Sequence, residues 1–440
     1  MNNKEKLELS RWTIKQAQKS GANQVSVNIS NNRTIDVEFR DGKLDQLKES
    51  IQNSLSLSIY ANNRYSGHST SDLQKDSLGR FIEQAVVMTK YLNEDPYRSL
   101  PDPKYYQGRK DFNLYILDSD YEKINSDKRV EIARQIEGIA HSQSDKIISC
   151  TAGYSDTDFE WVKLNSNGFE GGKQGTVFSA GATVTVKDDK GGRPEDWDWR
   201  IVRFQKDLPA PEVLAKSAAE RALRKIGQTK LESGLYDMIL ENRASRRFFY
   251  SLLEPMTGSA LQQKSSFLDG KLGQKIGSDK LTIIDDPFVK SGLASSLFDS
   301  EGITTRPRVM IDKGILRSYY IDTYYGKKLG MEPTSGDATN IVMEYGTKTI
   351  DQMIKDMKKG ILVNTFIGGN SNSTTGDFSF GIIGMYVENG QIIKPVHEMN
   401  ISGNFTYLLN QLVEVGGDPY IYSSARLPSL YFKDVQFSGI

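Results

Sequence analysis

The chain has 440 residues, with 56 Lys+Arg against 56 Asp+Glu, 38% hydrophobic and 10% aromatic content, and a single cysteine. Zero formal charge argues against a protein that depends on phosphate contacts, so no direct nucleic-acid partner is expected, and the apolar content excludes a disordered polymer. The length suits two domains; no stretch approaches the roughly 18 consecutive apolar residues of a membrane span, and the opening MNNKEKLELSRWTIKQAQKSG lacks the apolar run of a signal peptide.

From the N-terminus, Lys4–Lys19 has helical spacing, with Leu7, Trp12, Ile14 and Ala17 broadly on one side and Gly21 as a stop. Alternating runs predict strands at Gln24–Ile29, Thr34–Arg40, Lys43–Ser50 and Ser54–Tyr60, with a turn at Asp41-Gly42. Tyr65–Thr70 extends that sheet, and Ser71-Asp72 reads as the cap region of a helix over Gln74–Tyr91. Asn93–Pro103 is a proline-rich connector, and a third helix is predicted over Ser126–Ser142. Strand patterns return from Lys146 to Lys187, broken by turn residues at Asn165–Gly172. Cys150 falls within them and reads as a buried core thiol. It has no partner for an internal disulfide, so a reducing, cytoplasmic location is expected. In Gly191–Arg200 (GGRPEDWDWR), Trp197 and Trp199 alternate as the inward face of a strand would; an exposed interface loop is the other reading. Pro211–Ile226 is an alanine-rich helix.

The fold class expected is α+β. A boundary near Lys230 divides an N-terminal domain of antiparallel sheet with helices, residues 1–230, from a β-rich C-terminal domain, residues 231–440. The second half offers helix patterns at Ala244–Leu253 and Ile350–Lys359. Strands are predicted at Met238–Leu240, Leu281–Asp285, Arg308–Asp312, Ile315–Ile321, Ile361–Ile367 and Tyr431–Phe437. Asn389-Gly390 is the strongest hairpin signal, since both central residues of a type I′ turn need φ > 0. Met385–Glu388 and Gln391–Pro395 are its strands. Tyr319, Tyr320, Tyr324 and Tyr325 either pack into the core with polar tips or line a groove or interface.

No G-x-x-x-x-G-K-[ST] phosphate loop and no G-x-S-x-G nucleophile elbow occurs. A metallopeptidase that uses H-E-x-x-H puts two histidines on one helix face, with the Glu acting as base on metal-bound water. The chain has three histidines, and none is followed by a second at that spacing. His397-Glu398 has the opening dipeptide, but it lies in a strand-like run after Pro395, and Ile401 and Ser402 stand at the closing positions. His397 therefore reads as a solvated or hydrogen-bonded strand residue, His68 as a strand-end residue and His141 as a helix-terminal cation.

Long, ordered strings resemble the TldD/PmbA family, also called the modulator-of-DNA-gyrase family. They are VEFRDGKLDQLKES, RYSGHSTSDL, DPYRSLPDP and SAAERALRKIG in the first half. GLASSLFDSEGITTRP, KGILRSYYIDTYYGKKLGMEPTSG and TTGDFSFG…YVENGQIIKPV…ISGN follow in the second, so the resemblance spans nearly the whole chain. KSSFLDGKLGQK, GLASSLFDSEG and STTGDFSFG are similar to the TldE (PmbA) type rather than the TldD type. TldD-type members are metallopeptidases with an H-E-x-x-x-H helix, which laid on this chain falls on Phe249–Glu254. Its two histidine positions become Phe249 and Glu254, its catalytic Glu becomes Tyr250, and a C-terminal cysteine ligand falls at about Leu427. The resemblance thus implies a chain without catalytic residues or a metal of its own, zinc being expected in a TldD-type partner. It implies a heterodimer with that partner, enclosing a chamber where unfolded or small peptides are cleaved. Extended peptides are held by adding a strand to a sheet edge. Glycine-rich strand ends give Gly368, Gly369, Thr375 and Gly376 as substrate-groove candidates, with plain turns as the competing reading. Two other functions stay open: a self-sufficient metallopeptidase with an atypical site, and a non-catalytic peptide-binding or regulatory homodimer.

Overall fold

A computed structural model describes the whole chain, Met1–Ile440. Its first half is organised by six strands: β1 (Gln24–Arg40), β2 (Lys43–Ala61), β3 (Arg64–Thr70), β4 (Ile147–Asn165), β5 (Glu170–Val186) and β6 (Glu195–Val202). They form one antiparallel sheet in the order β3-β2-β1-β4-β5-β6. β1 and β2 are each one long strand where the sequence pattern suggested two runs. The polar middle continues the ladder because it faces polar partners: Ser30 meets Ser54, Asn31 meets Asn53 and Thr34 meets Thr157. β3 covers β2 only from Leu55 to Ala61, so Lys43–Ser54 keeps one unpaired edge, with Leu44, Leu47 and Ile51 exposed along it.

One face of this sheet carries Val25, Val27, Ile29, Val37 and Phe39 at a period of two along β1. Helices α1 (Asn3–Lys19) and α2 (Lys75–Thr89) cover one end of that face, and α3 (Ser126–His141) and α4 (Pro211–Leu223) cover the other. Between the two apolar clusters the same face of β4 is acidic. Asp156 accepts from Arg129 of α3 at 2.6 Å, and Glu160 pairs with Lys6 of α1. Lys6, Arg129 and Asp156 are buried, so removing either partner of a pair would strand a charge in the interior.

The second half begins with β7 (Gly234–Leu240) and helix α5 (Asn242–Leu253). β8 (Ile283–Asp286), β9 (Arg308–Asp312), β10 (Ile315–Leu316) and β11 (Asn340–Met343) follow. Then come β12 (Lys359–Ser371), β13 (Asp377–Glu388), β14 (Gln391–Asn404), β15 (Leu412–Val415), β16 (Ala425–Arg426) and β17 (Leu430–Ser438). β8–β11 and β16 make a small sheet, while the other sheet runs β14-β13-β12-β7-β17-β15. β14 also pairs with β17 at Asn400↔Ser438 and Ile401↔Phe437, which closes five of those strands into a barrel. The β13–β14 connection is the expected tight turn, with Asn389 at φ 50° and Gly390 at φ 75°. α5 lies against β12, and its Ala244, Phe248, Phe249 and Leu252 enter the largest apolar core. The opposite face of the first sheet meets this half: Trp161 packs edge-on to Phe298, and Arg203 donates to the carbonyls of Gly292 and Leu293.

β6 differs from the sequence reading. Asp196 and Asp198 are the buried residues, and Trp197 is exposed. The alternation was right and the face was inverted, because α4, the turn after it, α5 and β6 itself supply Arg221, Lys225, Arg243 and Arg200 to neutralise the two carboxylates. No helix of the chain is long and apolar enough to cross a membrane.

Candidate functional site

α5 carries the positions at which the family resemblance places a metal motif. Its buried face repeats at Ala244, Ser245, Phe248, Phe249 and Leu252, and it yields to a single 3-10 turn at Glu254–Met256, where Pro255 ends the α-helical bonding. Phe249 is 2% exposed and Leu427 1% exposed. The structure brings these two distant positions together: both line one void of about 10 Å³ whose eleven lining residues are all hydrophobic. Tyr250 points the other way, to solvent, with its hydroxyl 3.5 Å from Ser424 Oγ. Glu254 is exposed at the C-terminal end of the helix. Zinc takes thiolate, imidazole or carboxylate donors converging tetrahedrally. A phenyl ring and an isobutyl group facing each other, with one carboxylate in water beyond the helix end, do not fit that requirement.

The three histidines occupy β3, the end of α3, and β14. His68 bonds Ser66 and stacks edge-on to Phe81, and His397 lies 3.9 Å from Glu398, which Lys230 also pairs. His141 joins the one group of metal-competent donors in the chain, with Asp41 and Glu137, all within 4.8 Å. Two of the three already serve the fold: Glu137 accepts from the Gly42 N–H at 3.0 Å and Asp41 from the Cys150 N–H at 3.1 Å. Beside them, burial and then the neighbouring Glu137 and Asp41 push the Cys150 thiol up to about 12, which makes it inert as a nucleophile.

The four groove candidates all sit in the β12–β13 hairpin. Gly368 (φ 63°) and Gly369 (φ 82°) form a bulge where the register with β13 shifts. A Cβ on Gly369 would lie 2.2 Å from the Ser379 carbonyl, so its close approach is to its own neighbouring strand. Thr375 and Gly376 (φ 80°) make the turn, with Thr375 Oγ1 donating to Asp377 and the Thr375 carbonyl accepting from Asn404. Gly368 and Gly369 have one further contact: both carbonyls accept from Arg247 of α5, at 3.0 and 3.3 Å.

That contact leads to residues the sequence reading passed over. The first turns of α5 carry Arg243, Arg246 and Arg247, and the string NRASRR was the available signal. Behind them lies a buried charge network. Glu241 accepts from both Arg221 Nη1 at 2.7 Å and Asn364 Nδ2 at 2.9 Å. Burial opposes ionisation of Glu241, but Arg221 and Asn364 outweigh it and hold its carboxyl below the usual range. Asp196 takes Lys225 at 3.1 Å, and Asp198 takes Arg200 at 2.6 Å. Tyr319 and Tyr320 pack into the core, and Tyr319 donates to the Leu268 carbonyl.

Comparison with known proteins agrees across the length of the chain. Residues 233–439 match the PmbA/TldA metallopeptidase C-terminal domain, 119–226 the central domain and 25–89 domain 1. The protein named metalloprotease PmbA from Escherichia coli is 30% identical over 94% of this chain and 92% of its own. A Bacteroides thetaiotaomicron protein that carries the name modulator of DNA gyrase is 39% identical, with a TM-score of 0.97 over 100% of both chains. TldE from Thermococcus kodakarensis, at 21% identity, shares the fold with a TM-score of 0.86 over 98% of this chain and 100% of its own.

Proposed function

We propose, for a chain that belongs to the PmbA/TldD metallopeptidase family, a supporting part in proteolysis: it is the metal-free, TldE-like subunit of a two-subunit peptidase. It assembles with a TldD-type subunit that carries the zinc and the catalytic residues. Together they enclose unfolded or small peptides, in a reducing cytoplasm that suits a lone buried thiol.

The observation that carries this reading is the meeting of Phe249 and Leu427 in one dry apolar void. A helix that packs one motif position into a core and turns the other two to solvent can keep the shape of a peptidase without its chemistry. The E. coli relative at 30% identity bears the PmbA name, which supports the TldE-type reading.

The test is to purify the chain untagged, alone and co-expressed with a TldD-type subunit from the same genome. Metal content by plasma mass spectrometry should lie well below one per chain for the chain alone. Chelator-sensitive peptidase activity should appear only in the co-purified complex. About one zinc per isolated chain, lost together with peptidase activity on chelation, would overturn the proposal.

A further inference from the structure

A polar cavity of about 270 Å³ opens at the first turn of α5, between α4, β6 and β12. Arg221, Arg243, Arg246, Arg247 and Asn364 form its polar wall together with Asp196. Six cations are gathered here, counting Arg200 and Lys225, and the carboxylates in ion-pair contact with them are Asp196, Asp198 and Glu241, which leaves an excess of three positive charges. The excess lies at the mouth: Arg246 and Arg247 are exposed, and the Arg247 guanidinium, 5.7 Å from the centre of the Phe380 ring, donates to the carbonyls of Gly368 and Gly369.

Two buried cations have donors to spare. Arg221 is 6% exposed, and its Nε stands 3.5 Å from Asp196 without a hydrogen bond. The Arg243 side chain is 8% exposed, and its Nη1 stands 3.5 Å from Asp198 without a hydrogen bond. Orphaned buried donors of this kind are costly unless something completes them. Burial and the nearby Arg221 also pull the Arg243 guanidinium below its ordinary range, as expected of a cation short of counter-charge. The N-terminal end of the twelve-residue α5 adds its own positive potential. Two buried acceptors lack hydrogen bonds as well: Asp198 Oδ1, which faces Arg243 Nη1, and Asn364, 5% exposed, which spends its amide nitrogen on Glu241 and leaves Oδ1 without a partner.

We propose that this cavity binds a carboxylate carried by an extended peptide, with Arg243 and Arg247 donating to the carboxylate and Asn364 Oδ1 accepting the adjacent peptide N–H. A free C-terminus and an aspartate side chain both present that pair of groups. Guanidinium groups match the planar carboxylate in a way that a lysine would not. The bulge at Gly368-Gly369, whose carbonyls Arg247 holds, forms the rim over which the peptide enters. The inference deepens the reading of the chain as a peptide-holding subunit and rests on it.

The experiment titrates this chain alone, by calorimetry, with three probes: tetra-alanine with a free C-terminus, tetra-alanine amide, and an amidated tetrapeptide with one central aspartate. Either acid should bind at least about tenfold more tightly than the neutral amide, and the tighter acid identifies the source of the carboxylate. Arg247→Gln, at an exposed position, should weaken the acids about tenfold while leaving the melting temperature in place. Arg246→Gln is the second variant and should act in the same direction. Equal binding of the neutral amide, absence of binding by all three, or acid affinity unchanged in both variants would overturn the proposal. Because no TldD-type subunit is present, that failure would leave assembly with a partner untouched.

Discussion

Glu301 and Asp299 hold their protons longer than carboxyl groups in water. Burial raises both, Asp299 to about 6 with help from Asp337, and Glu301 to about 7 with help from Asp299. Asp299 Oδ2 is also buried without a partner. The native state keeps these protons where the unfolded chain has released them, so the stability they confer is full below about pH 4 and is lost as the pH climbs through about 6 and then about 7. Glu301→Gln removes one titration yet keeps an acceptor for the Thr323 N–H and Oγ1. The drop in melting temperature from about pH 5 to about pH 8 should be smaller in this variant than in the parent. Equal drops in thermal unfolding scans would remove Glu301 from the account. The place matters: the Glu301 carbonyl also accepts from Asn165, so the titration acts where the second half meets the first sheet.

α5 was legible as an element and illegible as a site. The spacing of Ala244, Phe248 and Leu252 with Pro255 behind them marks an amphipathic helix with a fixed end, and both follow from local chemistry. Its arginines stood in plain view as NRASRR, but their gathering into a site was not legible, because Arg221 of α4 and Asn364 of β12 meet them only through the tertiary fold. β6 teaches the same distinction. Alternation tells which side chains share a face, and only the neighbours decide which face is inside. Two tryptophans looked like the natural choice, but four cations made the aspartates cheaper to bury. The buried face of α5 makes its own prediction. Phe249→Ala should cost about 3–5 kcal/mol in urea denaturation, whereas Tyr250→Ala on the solvent side should stay within about 0.5 kcal/mol. A cost below about 1 kcal/mol at Phe249 would mean the void around it collapses freely and does not define the helix position.

For the molecule as a whole, the tight turn was read correctly from local signals, the strand expected over Ile315–Ile321 shrinks to Ile315–Leu316, and the long-range pairings were not legible. The Asn389-Gly390 turn is written in two adjacent residues. Closure of the barrel depends on Asn400 finding Ser438, a pairing that no local pattern encodes. Closure covers the outer side of β14 at Asn400 and Ile401. β2 is the opposite case, since Lys43–Ser54 has β1 on one side and nothing on the other. In an antiparallel strand each residue turns its N–H and its C=O to the same side, and successive residues alternate. Placed in heavy water, β2 should therefore take up deuterium in a striped pattern over Lys43–Ser54, alternate amides exchanging at once and their neighbours slowly. The stripes should end at Leu55, where β3 takes the second side. Uniform protection along the whole strand in residue-resolved exchange would show that another chain covers this edge in solution.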